Sequence, residues 1–242
     1  MHVMPALQSA LRPFYEFVYP PICLACDIRL KTEEKMVCAS CWGKLCLVHE
    51  NDDTFMEIAD RLHCSGRIAG LVSAYMFEKG GTLQTLIHEL KYGGMTALGV
   101  KLGERLGENI VNRLDVDCIT ALIPVPLHPT KMRERGYNQS EFICRGIRRV
   151  TGLPISMSLL RRSKYTDSQT QLTLAERLEN VRNAFAAGRK SMASAYDGTF
   201  LLVDDVITTG ATIIACAGIL ADHGARKVYA CSVALAARAE IP

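Results

Sequence analysis

No window of this sequence approaches the roughly 20 uninterrupted apolar residues that a membrane-spanning helix needs. The N-terminus also lacks the charged start, apolar run and small-residue cleavage site of a secretory signal, and the opening stretch Leu7 to Tyr19 is amphipathic at best. Internal repeats and low-complexity segments are absent. So is a strong charge of one sign: 28 basic residues stand against 25 acidic ones, and the net charge of +3 is too small to argue by itself for nucleic acid. Tryptophan occurs once, at Trp42. These absences predict a soluble, cytoplasmic protein with no membrane span.

What is present bounds the class further. The 242 residues are 49% hydrophobic, enough for one full-sized α/β core and a small accessory module, because single cores stop growing near ~250 residues. Charge is unevenly placed. Residues 129 to 164 carry 9 Lys/Arg and 2 Asp/Glu, whereas 1 to 65 carry 6 and 9, so the basic stretch is where an anionic ligand is sought. In a reducing compartment the ten cysteines are expected to serve as metal ligands or as small buried apolar groups rather than as disulfides.

Four of those cysteines have metal-ligand spacing. Cys23-Leu-Ala-Cys26 and Cys38-Ala-Ser-Cys41, separated by eleven residues, supply two thiolate pairs that can close on one tetrahedral ion. Four cysteine ligands leave no open position for water, so a Zn²⁺ ion held this way is structural. Cys46, Cys64 and His63 lie nearby but are left out of the ligand set. Trp42 directly follows the last ligand and is expected to pack over the knuckle; stacking on a nucleic-acid base is its less favoured role.

Beyond the knuckle, periodicity alternates. A strand is expected from Gly70 through Phe77, and a helix over Leu83 to Tyr92, with Leu83, Leu86, Ile87 and Leu90 on one face. A second helix is expected from about Leu98 to Leu114, a buried strand over Cys118 to Val125, a basic loop from His128 to Asn138 and a helix from about Ser140 to Val150. A strand Thr199 to Asp204, a helix Thr212 to His223 and a strand Lys227 to Leu235 complete the pattern. Strands alternating with helices imply parallel pairing, hence an α/β sheet with helices on both faces.

The segment Phe200-Leu-Leu-Val-Asp-Asp-Val-Ile-Thr-Thr-Gly-Ala-Thr212 carries the chemistry. Four apolar residues make a buried strand, two acids are expected at its C-terminal edge, and a Thr/Gly turn leads into a helix. Ligands in open α/β sheets sit outside the carboxyl ends of the strands, and a helix N-terminus presents unpaired N–H groups suited to phosphate. Thr208, Thr209 and Thr212 add hydroxyls, Gly210 lets the backbone approach closely, and the helix begins near Ala211 or Thr212. Asp204 and Asp205 would repel that phosphate unless they serve another part of the ligand, and the vicinal hydroxyls of a sugar are donors that two carboxylates can accept.

Segment 200 to 212 resembles, position for position, the binding motif for 5-phosphoribosyl-1-pyrophosphate (PRPP) of type I phosphoribosyltransferases. The wider chain resembles the ComF (ComFC/GntX) family of phosphoribosyltransferase-like proteins linked to competence and DNA uptake. That resemblance is carried by the cysteine knuckle, Leu86-Ile-His-Glu-Leu-Lys-Tyr92, Pro124-Val-Pro126, Arg135-Gly-Tyr-Asn-Gln139, and Arg162, Thr166, Gln169, Arg177 and Asn180 before Phe185. It implies a parallel-sheet type I phosphoribosyltransferase fold over residues 66 to 242, preceded by an N-terminal helix and a four-cysteine zinc knuckle over 1 to 65. It also implies that the acids bind ribose hydroxyls, that the following loop holds the 5-phosphate, and that Mg²⁺ bridges the diphosphate and the ribose.

A PRPP site must also hold a diphosphate. Lys131, Arg133 and Arg135 can close over it as a lid, with Arg161 and Arg162 as second candidates. The expected function is PRPP binding in competence or DNA uptake, with single-stranded DNA and DNA-uptake proteins as partners and transferase turnover open, since no acceptor-recognition motif is evident. The competing reading is a non-enzymatic adaptor that binds single-stranded nucleic acid through the knuckle and the 129 to 164 basic stretch.

Overall fold

The computed structural model describes residues 20–163, 184–188 and 196–237. The amphipathic stretch Leu7 to Tyr19 and residues Thr166, Gln169, Arg177 and Asn180 lie outside the described residues.

Four strands pair into one parallel sheet in the order β1-β6-β5-β2, where β1 is Gly70–Met76, β2 Ala121–Pro124, β5 Thr199–Ile207 and β6 Lys227–Leu235. Two short strands, β3 (Leu160–Arg162) and β4 (Phe185–Ala187), form a separate antiparallel pair. The helices are α1 (Ala39–Gly43), α2 (Asp53–Cys64), α3 (Thr82–Tyr92), α4 (Thr96–Arg113), α5 (Pro129–Arg135), α6 (Gln139–Thr151) and α7 (Ala211–Asp222).

Side chains alternate across the sheet, as strand geometry dictates. On one face Val72, Leu122, Leu201, Val203, Cys231 and Val233 pack in a single core with α3, α4 and α6. On the other, Ile123, Phe200, Leu202, Val228 and Ala230 pack with α2, α7 and the β3–β4 pair. The expectation of helices on both faces is thus borne out. Along α4, Leu98, Leu102, Leu106 and Ile110 recur at helical spacing and are fully buried; truncating any one to alanine removes about 2–5 kcal/mol.

The knuckle is not a free appendage. Cys23, Leu30, Val37, Cys38, Cys41 and Leu45 belong to the same core as α3 and α4. Helix α2 packs Phe55, Ile58 and Leu62 on the opposite face. Trp42 is half-buried, with the Arg105 guanidinium of α4 lying 4.1 Å from its ring centroid, so one ring face is covered by packing.

Three boundaries differ from expectation. Residues 128 to 138 are not simply a loop: Pro129 at the first turn, the His128 side chain accepting from the Thr130 N–H, and left-handed Gly136 at the end make α5 a capped helix. The strand expected from Cys118 begins at Ala121, because the Asp115 side chain accepts from the Asp117 N–H and caps a single 3₁₀ turn over Val116–Cys118. Strand β5 does not stop at Asp204. It continues to Ile207, with Val206 opposite Ala234 and Ile207 opposite Leu235, so the acids lie within the strand rather than after it.

Candidate functional site

Because β5 stays extended through both acids, Asp204 and Asp205 leave the strand on alternate sides. Asp205 follows Leu201 and Val203 toward the face of α3 and α6 and is only 4% exposed. Both acids are held by the first two residues of α6. Ser140 Oγ donates to Asp204 Oδ1 at 3.2 Å, and Gln139 Nε2 reaches Asp205 Oδ1 at 3.5 Å. That helix start is fixed in turn by Asn138, whose side chain accepts from the Ser140 N–H and donates to the Val125 carbonyl at 2.9 Å. Asp204 Oδ1 also accepts the Asp205 backbone N–H at 2.9 Å.

A third partner comes from the end of α3. Lys91 Nζ lies 2.5 Å from Asp205 Oδ2, an ion pair between side chains 26% and 6% exposed. The two acids consequently diverge. Burial first, then the neighbouring Asp205 charge, pushes the Asp204 carboxyl well up. Burial acts on Asp205 as well, but the Lys91 ammonium with hydrogen bonds from Lys91, Asp204 and Gln139 outweighs it and holds that carboxyl below its ordinary value. Lys91 itself is lowered by burial but raised more by Asp205, and its net shift is upward.

The turn after β5 has the expected local form. Gly210 adopts φ +74°, caps α7, and leaves the first N–H groups of that helix without a side-chain cap from this residue. Thr209 Oγ1 accepts from the Ala211 N–H at 3.4 Å. The end of α2 braces the loop from beneath: Arg61 Nη1 donates to the Thr209 carbonyl at 3.4 Å, and a Cβ on Gly210 would fall 2.6 Å from Leu62 Cδ2. Thr208, Thr209, Ala211 and Thr212 are half-buried, and Gly210 is buried.

The candidate diphosphate cations are divided. Lys131 and Arg135 line a cavity of about 290 Å³ with Lys91, Tyr92, Gly94 and Glu134. Arg135 also bonds Gln139 Oε1 and places its guanidinium 5.2 Å from the ring centroid of Tyr92. Arg133 is exposed and does not line that cavity. Arg161 and Arg162 are carried by β3, where Arg161 Nε donates to the Ala187 carbonyl at 3.0 Å and Arg162 lies over Phe185. Part of the basic stretch is neutralised by neighbouring acids. Arg145 pairs with Glu141 at 2.6 Å and Arg149 with Glu104 at 2.9 Å on the body of α6.

At the knuckle, Cys23, Cys26, Cys38 and Cys41 bring their sulfurs within 4.8 Å of one another, with Cys26 and Cys38 3.8 Å apart. A tetrahedral ion with metal–sulfur bonds of about 2.3 Å needs sulfurs about 3.8 Å apart, so the four cysteines fit a metal. Burial opposes ionisation of Cys23, but N–H groups of Cys38, Ala25 and Cys26 and a hydrogen bond from the Cys26 thiol bring it down to about 6. Glu34 spans the intervening loop, accepting the Ala39 N–H at 2.7 Å and the Lys31 N–H at 2.8 Å. Cys46 and Cys64 are exposed and outside the cluster.

Sequence reasoning gave Lys91, Gln139 and Ser140 no role at the site, although Lys91 and Gln139 fall in segments that carry the family resemblance. Lys91 had a signal: it follows Leu90 on a helix whose Ile87, one turn earlier, is buried.

Comparison with known proteins agrees with this architecture. Residues 145–241 match the phosphoribosyl transferase domain family. The chain is 33% identical over 116 residues to competence protein F of Haemophilus influenzae, covering 48% of this chain and 50% of that protein. It is 27% identical over 150 residues to DNA utilization protein YhgH of Salmonella typhimurium, covering 60% and 64%. The chain spans about half the length of the first of these relatives and under two thirds of the second. A solved glutamine PRPP amidotransferase from B. subtilis overlays at a TM-score of 0.39 and 19% identity, over 59% of this chain and 30% of that one. Among the described residues, no helix is long and apolar enough to cross a membrane.

Proposed function

We propose that this chain binds PRPP as a phosphoribosyltransferase-like protein acting in the cytoplasm in competence or DNA uptake, with DNA-uptake proteins and single-stranded DNA as partners. The observation that carries the reading is the mounting of Asp204 and Asp205 on the first residues of α6, directly before the turn Thr208 to Thr212. Asp204 and Asp205 accept the ribose hydroxyls; the N–H groups and hydroxyls of Thr208, Thr209, Gly210, Ala211 and Thr212 receive the 5-phosphate. Lys131 and Arg135 hold the diphosphate, and Arg133, Arg161 and Arg162 add positive charge around it. Mg²⁺ bound with PRPP would neutralise that diphosphate further.

The names of the relatives, competence protein F and DNA utilization protein, support the cellular role. Residues 1 to 65, with Zn²⁺ on Cys23, Cys26, Cys38 and Cys41, form the structural module, and 66 to 242 the sugar-phosphate domain. Turnover would require only that the site hold the departing diphosphate, stabilise its charge and exclude water from the ribosyl centre.

Calorimetry with PRPP and Mg²⁺ tests the reading. Wild type is expected to bind, and Asp204→Asn/Asp205→Asn to lose at least about tenfold, since a hydrogen bond to the charged Asp205 contributes about 1.5–3 kcal/mol. Equal binding by both proteins overturns the assignment. A screen of bases and amines for pyrophosphate release then decides turnover.

A further inference from the structure

Asp205 is buried, yet it is not left open for a ligand alone: one oxygen faces Gln139 and the other the ammonium of Lys91. Among the described residues, Lys91 is the one that both contacts an acid of β5 and lines the cavity of Lys131 and Arg135. It stands at the end of α3, where Leu83, Leu86, Ile87 and Leu90 anchor the helix in the core, so its position is fixed by packing rather than by its own flexible stem.

We propose that Lys91 is the positioning residue of this site, keeping Asp205 an unprotonated acceptor for a sugar hydroxyl while facing the diphosphate end of the same ligand. This rests on the sugar-phosphate reading given above. The charged groups that face Lys91 are Asp205 and Asp204 from β5 and Arg135 from α5. Asp204 in addition faces Ser140 of α6 and Cys216 of α7, and Arg162 of β3 faces Cys216.

Burial and mutual repulsion leave this adjacent pair room for one negative charge near neutral pH, and the contact with Lys91 favours placing that charge on Asp205 rather than Asp204. A protonated Asp205 would turn one of its oxygens from acceptor into donor and mismatch a hydroxyl already donating to it. The opposite directions in which Asp204 and Asp205 are displaced agree with Lys91 acting more strongly on Asp205, which it contacts directly, than on Asp204.

Two measurements test this on the full chain. Carboxyl ¹³C NMR of labelled aspartate in ligand-free protein follows Asp205 through its titration. In Lys91→Met its proton affinity is expected to rise at least about tenfold, and in Lys91→Arg, which keeps a permanent cation, to stay at the wild-type value. Calorimetry with PRPP and Mg²⁺ is expected to give at least about tenfold weaker binding for Lys91→Met at pH 7, with an affinity that improves as pH rises, and near-wild-type binding for Lys91→Arg. An Asp205 titration unchanged in Lys91→Met, or PRPP binding by that variant with wild-type affinity and pH profile, overturns the proposal. An altered titration with no PRPP binding even by wild type leaves Lys91 holding Asp205 but removes the sugar-phosphate reading. If Lys91→Met does not fold, Lys91→Gln repeats both measurements.

Discussion

Gly103 of α4 and Gly146 of α6 mark the closest crossing of these two helices: a Cβ on Gly146 would fall 2.0 Å from the Val100 carbonyl oxygen, and one on Gly103 would fall 2.1 Å from that of Ile143. The contact is backbone on backbone, and no rotamer change can relieve it. Since α6 begins with Gln139 and Ser140, the crossing sets where the holders of both acids stand. Gly146→Ala is therefore expected to destabilise the protein by about 1–3 kcal/mol and to weaken PRPP binding as well. Thermal unfolding together with calorimetry checks both effects.

At Gly210 two constraints coincide, a left-handed backbone and the Leu62 side chain beneath it. Gly210→Ala would strain the backbone and push the phosphate turn off α2. The expected outcome is PRPP affinity lowered at least about tenfold with the α-helical circular dichroism signal retained; the strain alone is of order 1–3 kcal/mol. Unchanged affinity would remove the turn from the ligand site.

The acid pair gives stability a pH signature. Asp204 is raised to about 8, so its contribution is fully present below the ordinary carboxyl value and is lost as pH rises toward that figure. Asp205 is lowered, so its contribution is present above the ordinary value and lost as pH falls through its folded one. Asp204→Asn keeps the protonated shape without a titrating proton. It should flatten the decline between about pH 4 and 8 and stabilise the protein at pH 8 by at least about 1 kcal/mol. Urea melts across that range measure it.

Metal analysis of protein purified without chelator should return close to one zinc per chain. Cys41→Ser should abolish it, and chelation should lower the melting temperature, because the knuckle shares its core with α3 and α4. Protein free of metal with an unaltered melting temperature would dismiss a structural ion.

Most of the sheet was legible because its strands are nearly continuous apolar runs, and the helices α3, α4 and α6 because their buried residues recur at helical spacing. The cysteine cluster was legible because spacing alone brings each pair together. Helix α5 carried its own signal, Pro129 at the start and Gly136 at the end, overshadowed by the run of charge between them. The continuation of β5 past the acids was hidden for another reason: two carboxylates read as a strand end, and only the pairing with β6 overrides that local preference. Lys91 and Asp205 are 114 positions apart, and no local pattern reports a contact made by folding.

The extension of β5 to Ile207 also decides which parts can breathe. Asp204 and Asp205 ride on backbone paired with β6 before and after them along the chain, so the β5 amides that bond to β6 should exchange with deuterium only on global unfolding. In the proposed reading, admitting and releasing the ligand falls to segments other than this paired backbone, and the acids act as the anvil rather than the jaw.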